Sequence, residues 1–126
     1  MISSPDNEAA LRQPDARELA LLGALLNEPF EGGAVLRQQV HGLRVRTLLR
    51  DGTIEMVVRA DAPRADVAER VPVEATYDDD DGVPVLVLLH VVGGRMSELE
   101  VVKADGSAIS LPPTVQRLRR ITRSAA

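Results

Sequence analysis

The sequence predicts an α+β fold: two N-terminal helices packed on an antiparallel β-meander of about five strands, with a short C-terminal helix. Three observations carry this. Apolar residues recur at helical spacing before residue 42 and with a period of two after it. Glycine- and aspartate-containing turns punctuate the second half. Residues 83–92 read VPVLVLLHVV between an aspartate run and Gly93-Gly94, a nearly unbroken apolar run that fits a strand covered on both faces.

Residues 1–12 are polar and aperiodic and are expected to form a loose leader before a single domain over 13–126. Pro14, Asp15 and Glu18 suit a first helical turn, and Leu19, Leu22, Gly23 and Leu26, with Leu25, form the inward stripe. Pro29 ends that helix at Asn27-Glu28. Gly32-Gly33 connects to a second helix over Ala34–His41, which presents Leu36 and Val40 and is closed by Gly42.

Leu43–Arg50 and Thr53–Ala60 flank Asp51-Gly52, a two-residue hairpin signal. Pairing Arg50 with Thr53 sets Leu43, Val45, Thr47 and Leu49 against Ala60, Val58, Met56 and Ile54, and puts Arg44 opposite Arg59 on the other side. Asp61–Arg70 fits a loop or a short helix. Val71–Tyr77 alternates as a third strand, and Asp78–Asp81 reads as a solvated hairpin tip. For the last hairpin, a two-residue loop at Gly93-Gly94 would bury Glu98 and Glu100. A three-residue loop that includes Arg95 pairs Leu99 with Leu89 and Val101 with Val87, so burial cost selects it and sets His90 opposite Glu98. Ile109 and Leu111 suggest a short edge segment, and Thr114 can cap the terminal helix, with Val115, Leu118 and Ile121 on one side.

Composition narrows the function classes. Phe30 and Tyr77 are the only aromatic residues, so base-stacking platforms and aromatic cages are excluded. With no cysteine, disulfides, thiolate nucleophiles and cysteine-ligated metals are excluded too. No basic start precedes an apolar core near the N-terminus, and the longest apolar run is about half of the ~20 residues a spanning helix needs, so a cytoplasmic protein without a membrane partner is expected. The net charge of −4 argues against nonspecific nucleic-acid binding, although Arg117, Arg119, Arg120 and Arg123 gather in a tail that holds no acid.

The stretch VPVLVLLHVVGGRMSELEV (83–101), with VPVEA (71–75) and RELALLGALL (17–26), resembles a family of small uncharacterised bacterial proteins, a domain of unknown function, over roughly residues 12–113. The shared layout is a leucine-rich first helix, a short second helix and a meander. Members carry a glycine- and cysteine-rich segment where this chain has Thr47–Thr53, and His90 stands in place of an apolar residue, so no metal or redox role carries over. The resemblance implies the fold and no activity.

No catalytic, cofactor or metal signature emerges. The aspartate run lacks the alternating oxygens and closing glutamate of a calcium loop. Ser97 and Glu98 fall on opposite faces, which disfavours a Ser-His-Glu relay through His90. One feature stands out: the sheet face away from the helices would carry Leu48, Val57, Leu86, Leu88, Val92 and Val102 among charges. The expected function is therefore a non-enzymatic interaction module that uses this face with a protein partner or a second copy. The alternatives are a small-molecule pocket or small enzyme near His41, Arg44 and Arg59, and a nucleic-acid contact through the C-terminal arginines.

Overall fold

A computed structural model describes residues 10–124. Two helices, α1 (Ala16–Leu26) and α2 (Gly33–Gln38), pack on one face of a sheet built from β1 (Arg44–Thr47), β2 (Ile54–Val57), β3 (Val73–Asp78), β4 (Pro84–Val92), β5 (Arg95–Lys103) and β6 (Arg120–Arg123). The strand order is β1-β2-β5-β4-β3-β6, antiparallel throughout.

Asp15 caps α1: its carboxylate accepts from Glu18 N at 2.8 Å, while Glu18 Oε1 accepts from Asp15 N at 2.8 Å. Arg12 clamps the same carboxylate with two bonds of 2.8 Å and pairs with Val45 through its backbone, so it joins helix to sheet. Residues 1–9 of the expected leader lie outside the described residues, whereas Arg12 is part of the fold. The inward stripe of α1 is Leu21, Leu22, Leu25 and Leu26; Leu19 is 40% exposed and Gly23 meets open space. The expected stripe is thus corrected by rotation. Leucines at 19, 21, 22, 25 and 26 leave more than one apolar face open, and the Arg12–Glu18 clamp on β1 selects one. Gly32, at φ +87°, turns the chain into α2 where a Cβ would lie 2.5 Å from Val67.

The β1–β2 hairpin departs from expectation. Its register is Val45↔Met56 and Thr47↔Ile54, shifted by two residues, so Arg44 faces Val57 and not Arg59. Asp51-Gly52 sits in a turn closed by Gly52 N donating to Leu49 O, while Asp51 Oδ1 accepts from Thr53 N at 2.9 Å. Leu49 is consequently outside the sheet. Thr53 is buried instead, and its hydroxyl accepts from Val101 N at 3.0 Å, taking the place of a ladder bond to β5. A two-residue shift keeps every side chain on its original face, so the apolar pattern alone does not oppose it.

The β4–β5 register is as expected, with Leu89↔Leu99, Val87↔Val101 and His90↔Glu98. Gly93 and Gly94, at φ +59° and +77°, form a tight turn by themselves; the extra residue is taken up by a bulge at Ser97 rather than by Arg95. Residues 61–70 form an irregular connection. Gln39, fully buried, braces it: Nε2 donates to Pro63 O and Gly94 O, and Oε1 accepts from Met96 N.

Two further expectations are corrected. Residues 114–123 form one 3-10 turn, Val115–Arg117, and then β6, not a helix. Thr114 makes no side-chain cap, and β3 would otherwise leave an edge of unpaired backbone groups. The aspartate run is not wholly solvated either. The Asp79 side chain is 0% exposed and accepts from Lys103 Nζ at 2.8 Å, from Ser110 N and from Leu111 N. Lys103, buried, also donates to Asp81 at 2.8 Å. These donors hold the Asp79 carboxyl well below the usual range, and the two carboxylates raise the Lys103 ammonium. Tyr77 OH donates to Leu111 O at 2.7 Å; burial pushes the phenol up to about 12.

Candidate functional site

Side chains alternate along a strand, so placing Val85, Val87, Leu89 and Val91 under the helices turns Leu86, Leu88, His90 and Val92 to the other face. Among the described residues no helix lies over that face; the tail extends the sheet at its β3 edge rather than crossing it. The register defines what the face presents. Leu86 lies opposite Val102, Leu88 opposite Glu100 and His90 opposite Glu98. Glu98 also faces Glu55 on β2, which faces Arg46 on β1. Glu74 and Thr76 flank Leu88 and Leu86 on β3.

The six expected interaction residues therefore divide. Leu86, Leu88 and Val102 form one apolar island across β4 and β5. Val57 and Val92 lie beyond the row Arg46–Glu55–Glu98–His90, and Leu48 sits past the end of β1. Both valines and Leu48 are exposed.

The charged row has a defined centre. Arg70 Nε donates to His90 Nδ1 at 3.0 Å, and His90 Nε2 meets Glu100 Oε1 at 2.7 Å. A ring that accepts at Nδ1 carries its proton on Nε2, so Nε2 donates to Glu100. The partner is the diagonal Glu100 rather than the directly opposed Glu98. The ligand atoms of His90, Glu98 and Glu100 lie within 4.8 Å of one another, the spacing of a metal site. In this tautomer, however, Nε2 offers a proton and not a lone pair, and a guanidinium sits on Nδ1 where a histidine ligand usually has an acceptor. The arrangement is a hydrogen-bonded relay, with Glu55 and Glu98 directly opposed beside it. Arg70 gave no signal in the sequence, since it lies in the irregular connection; Glu100 was accessible from the diagonal-neighbour rule for paired strands.

A groove of about 400 Å³ lies beside this row, where β5 runs on past the start of β2. Arg50, Asp51, Glu98, Glu100 and Ser107 contribute to its wall. The expected pocket at His41, Arg44 and Arg59 is not one cavity. His41 stands between two clefts of about 290 and 330 Å³, one shared with Arg59 and the other with Arg44. Arg59 is ion-paired to Asp61 at 3.0 Å. Of the tail arginines, Arg117 donates to Pro112 O, Arg119 pairs with Asp78 at 3.1 Å and Arg123 donates to Pro29 O.

No helix is long and apolar enough to cross a membrane among the described residues. A sequence profile described as "Domain of unknown function (DUF6984)" matches residues 11–113. No curated protein and no solved structure matches the chain.

Proposed function

The chain belongs to this family, a domain of unknown function (DUF6984), and we propose that it is a non-enzymatic, cytoplasmic docking module that binds a protein through the uncovered face of its sheet. The observation that supports this most is the island Leu86–Leu88–Val102, partly solvent-accessible at the middle of a six-stranded sheet and bordered by charges. An apolar centre within a polar rim is the usual build of a protein interface. The relay of Arg70, His90 and Glu100 fixes the orientation of that rim, and Glu98, opposed to a Glu55 that is ion-paired to Arg46 at 3.5 Å, favours a basic group on the partner.

The absence of cysteine suits the cytoplasmic setting. The nucleic-acid alternative loses ground, because three of the four tail arginines are already engaged within the chain.

The first partner to test is a second copy. Light scattering of the wild type across a concentration series should show association, and Leu88→Asp should remove it with the circular dichroism unchanged. A wild type that keeps its monomeric mass throughout would count against self-association through this face. A small-molecule reading has one specific support, the groove beside Glu98 and Glu100. A heat-stabilising amine ligand whose effect disappears in Glu98→Gln and Glu100→Gln would favour it.

A further inference from the structure

We propose that the outer edge of β3 is a strand-acceptor site, that β6 is its exchangeable occupant, and that two copies of the chain can trade this strand reciprocally. The site is distinct from the uncovered face and independent of the reading above. Two observations locate the boundary of the exchangeable segment at the same place. Up to residue 113 the chain is pinned to the body: Asp79 accepts from Ser110 N and Leu111 N, Tyr77 OH donates to Leu111 O, and Arg17 Nη1 donates to Pro113 O at 2.9 Å. The family match also ends at residue 113, so it contains the five other strands and leaves out β6.

Past that point the attachment changes in kind. β6 is held through backbone pairing, Thr76↔Arg120 to Val73↔Arg123, reinforced by Arg119 N donating to Thr76 O and Ser124 N to Pro72 O. Its side chains add two local contacts, Arg123 Nη1 donating to Pro29 O at 2.8 Å and Ile121 packing at the edge of the core. Arg120, Thr122 and Arg123 are exposed, Ile121 is half-buried, and the Arg119–Asp78 ion pair lies between side chains 54% and 45% exposed. A backbone ladder is indifferent to which molecule supplies the strand, and a second copy carries the same Arg-Ile-Thr-Arg segment in full. Exchange would remake each ladder bond it breaks, leaving the opened turn and the protein concentration to set the balance. The hinge is the 3-10 turn Val115–Arg117, closed by Arg117 N donating to Thr114 O and Leu118 N donating to Val115 O; opening it carries β6 away from its own β3.

The chain has no cysteine, so introduced ones report without background. Glu74 and Thr122 are directly paired across β3 and β6, within disulfide reach. One population carries Glu74→Cys and another Thr122→Cys. They are mixed at high concentration, taken through mild denaturant and back, and oxidised. We expect a cross-chain disulfide several-fold above that from a control mixture of Glu98→Cys with Thr122→Cys, and unchanged when Leu88→Asp is added to both chains. In the double variant Glu74→Cys/Thr122→Cys, oxidised as a dilute monomer, the intrachain lock should prevent later exchange. Cross-linking no greater than the control, or dependent on Leu88, would overturn the proposal.

Discussion

Leu88 and Leu89 are neighbours in sequence and opposites in setting. Leu89 is 0% exposed and lies in the core cluster with Leu21, Leu25 and Leu36, while Leu88 stands on the uncovered face between Glu74 and Glu100. The same contrast runs along β4 and β5. One face is an aliphatic layer sealed by α1 and α2, and the other mixes four apolar side chains, Leu86, Leu88, Val92 and Val102, with a charged row. An aliphatic run by itself thus says that a strand is central, not that both of its faces are covered by its own chain. That difference separates what holds the fold together from what is available for binding.

The contrast can be broken most forcefully from the sealed side. Leu89→Ala should destabilise the protein by about 2–5 kcal/mol, read from the shift in the denaturant midpoint at unchanged slope. Lys103→Met should be comparably harmful, because it leaves the buried Asp79 carboxylate without its ammonium partner. The same pair makes a pH prediction. The Asp79 carboxyl is depressed in the fold, so its stabilisation is present at neutral pH and is lost as pH falls below the ordinary aspartate range, about 4. Asp79→Asn should flatten that acid limb in urea titrations at successive pH values.

A subtler test uses the one tyrosine. Tyr77 is raised to about 12 in the fold, so the neutral phenol is favoured there, and stability should decline from about pH 10 up to about 12. With no tryptophan present, phenolate absorbance follows Tyr77 alone, and Tyr77→Phe should make the alkaline limb shallower, leaving the part that belongs to the raised Lys103 ammonium. The smallest effect belongs to the uncovered face. Leu88→Ala should change monomer stability by less than about 1 kcal/mol, a value that would sharpen the contrast with its neighbour. A loss as large as that of Leu89→Ala would show that the two faces are not different in kind.

Much of this was legible from residues alone. The β4–β5 register followed from one consideration, that Glu98 and Glu100 cannot both go under the helices, and the ladder agrees. The β1–β2 register was not legible in the same way, since a shift by two residues preserves faces and the choice fell to the Leu49–Gly52 turn and the Thr53 hydroxyl. For α1, several leucine stripes were available and a contact from Arg12 chose among them. Of the candidate site, Leu86, Leu88 and Val102 were found by alternation, whereas Val57 and Val92 share the face but not the island and Leu48 lies past the end of β1. Arg70 became part of the site only because an irregular segment brings it to His90.

Local chemistry determined the order of helices and strands up to residue 103, the places where the chain turns and the face on which most strand residues lie, because periodicity and glycine-aspartate turns act within a few residues. Tertiary structure alone decided the Lys103–Asp79 pair, the meeting of Arg70, His90 and Glu100, and the conversion of the tail into a sixth strand. Each of these joins groups distant along the chain, and their free energies arise only when burial or an unpaired sheet edge makes a missing partner costly.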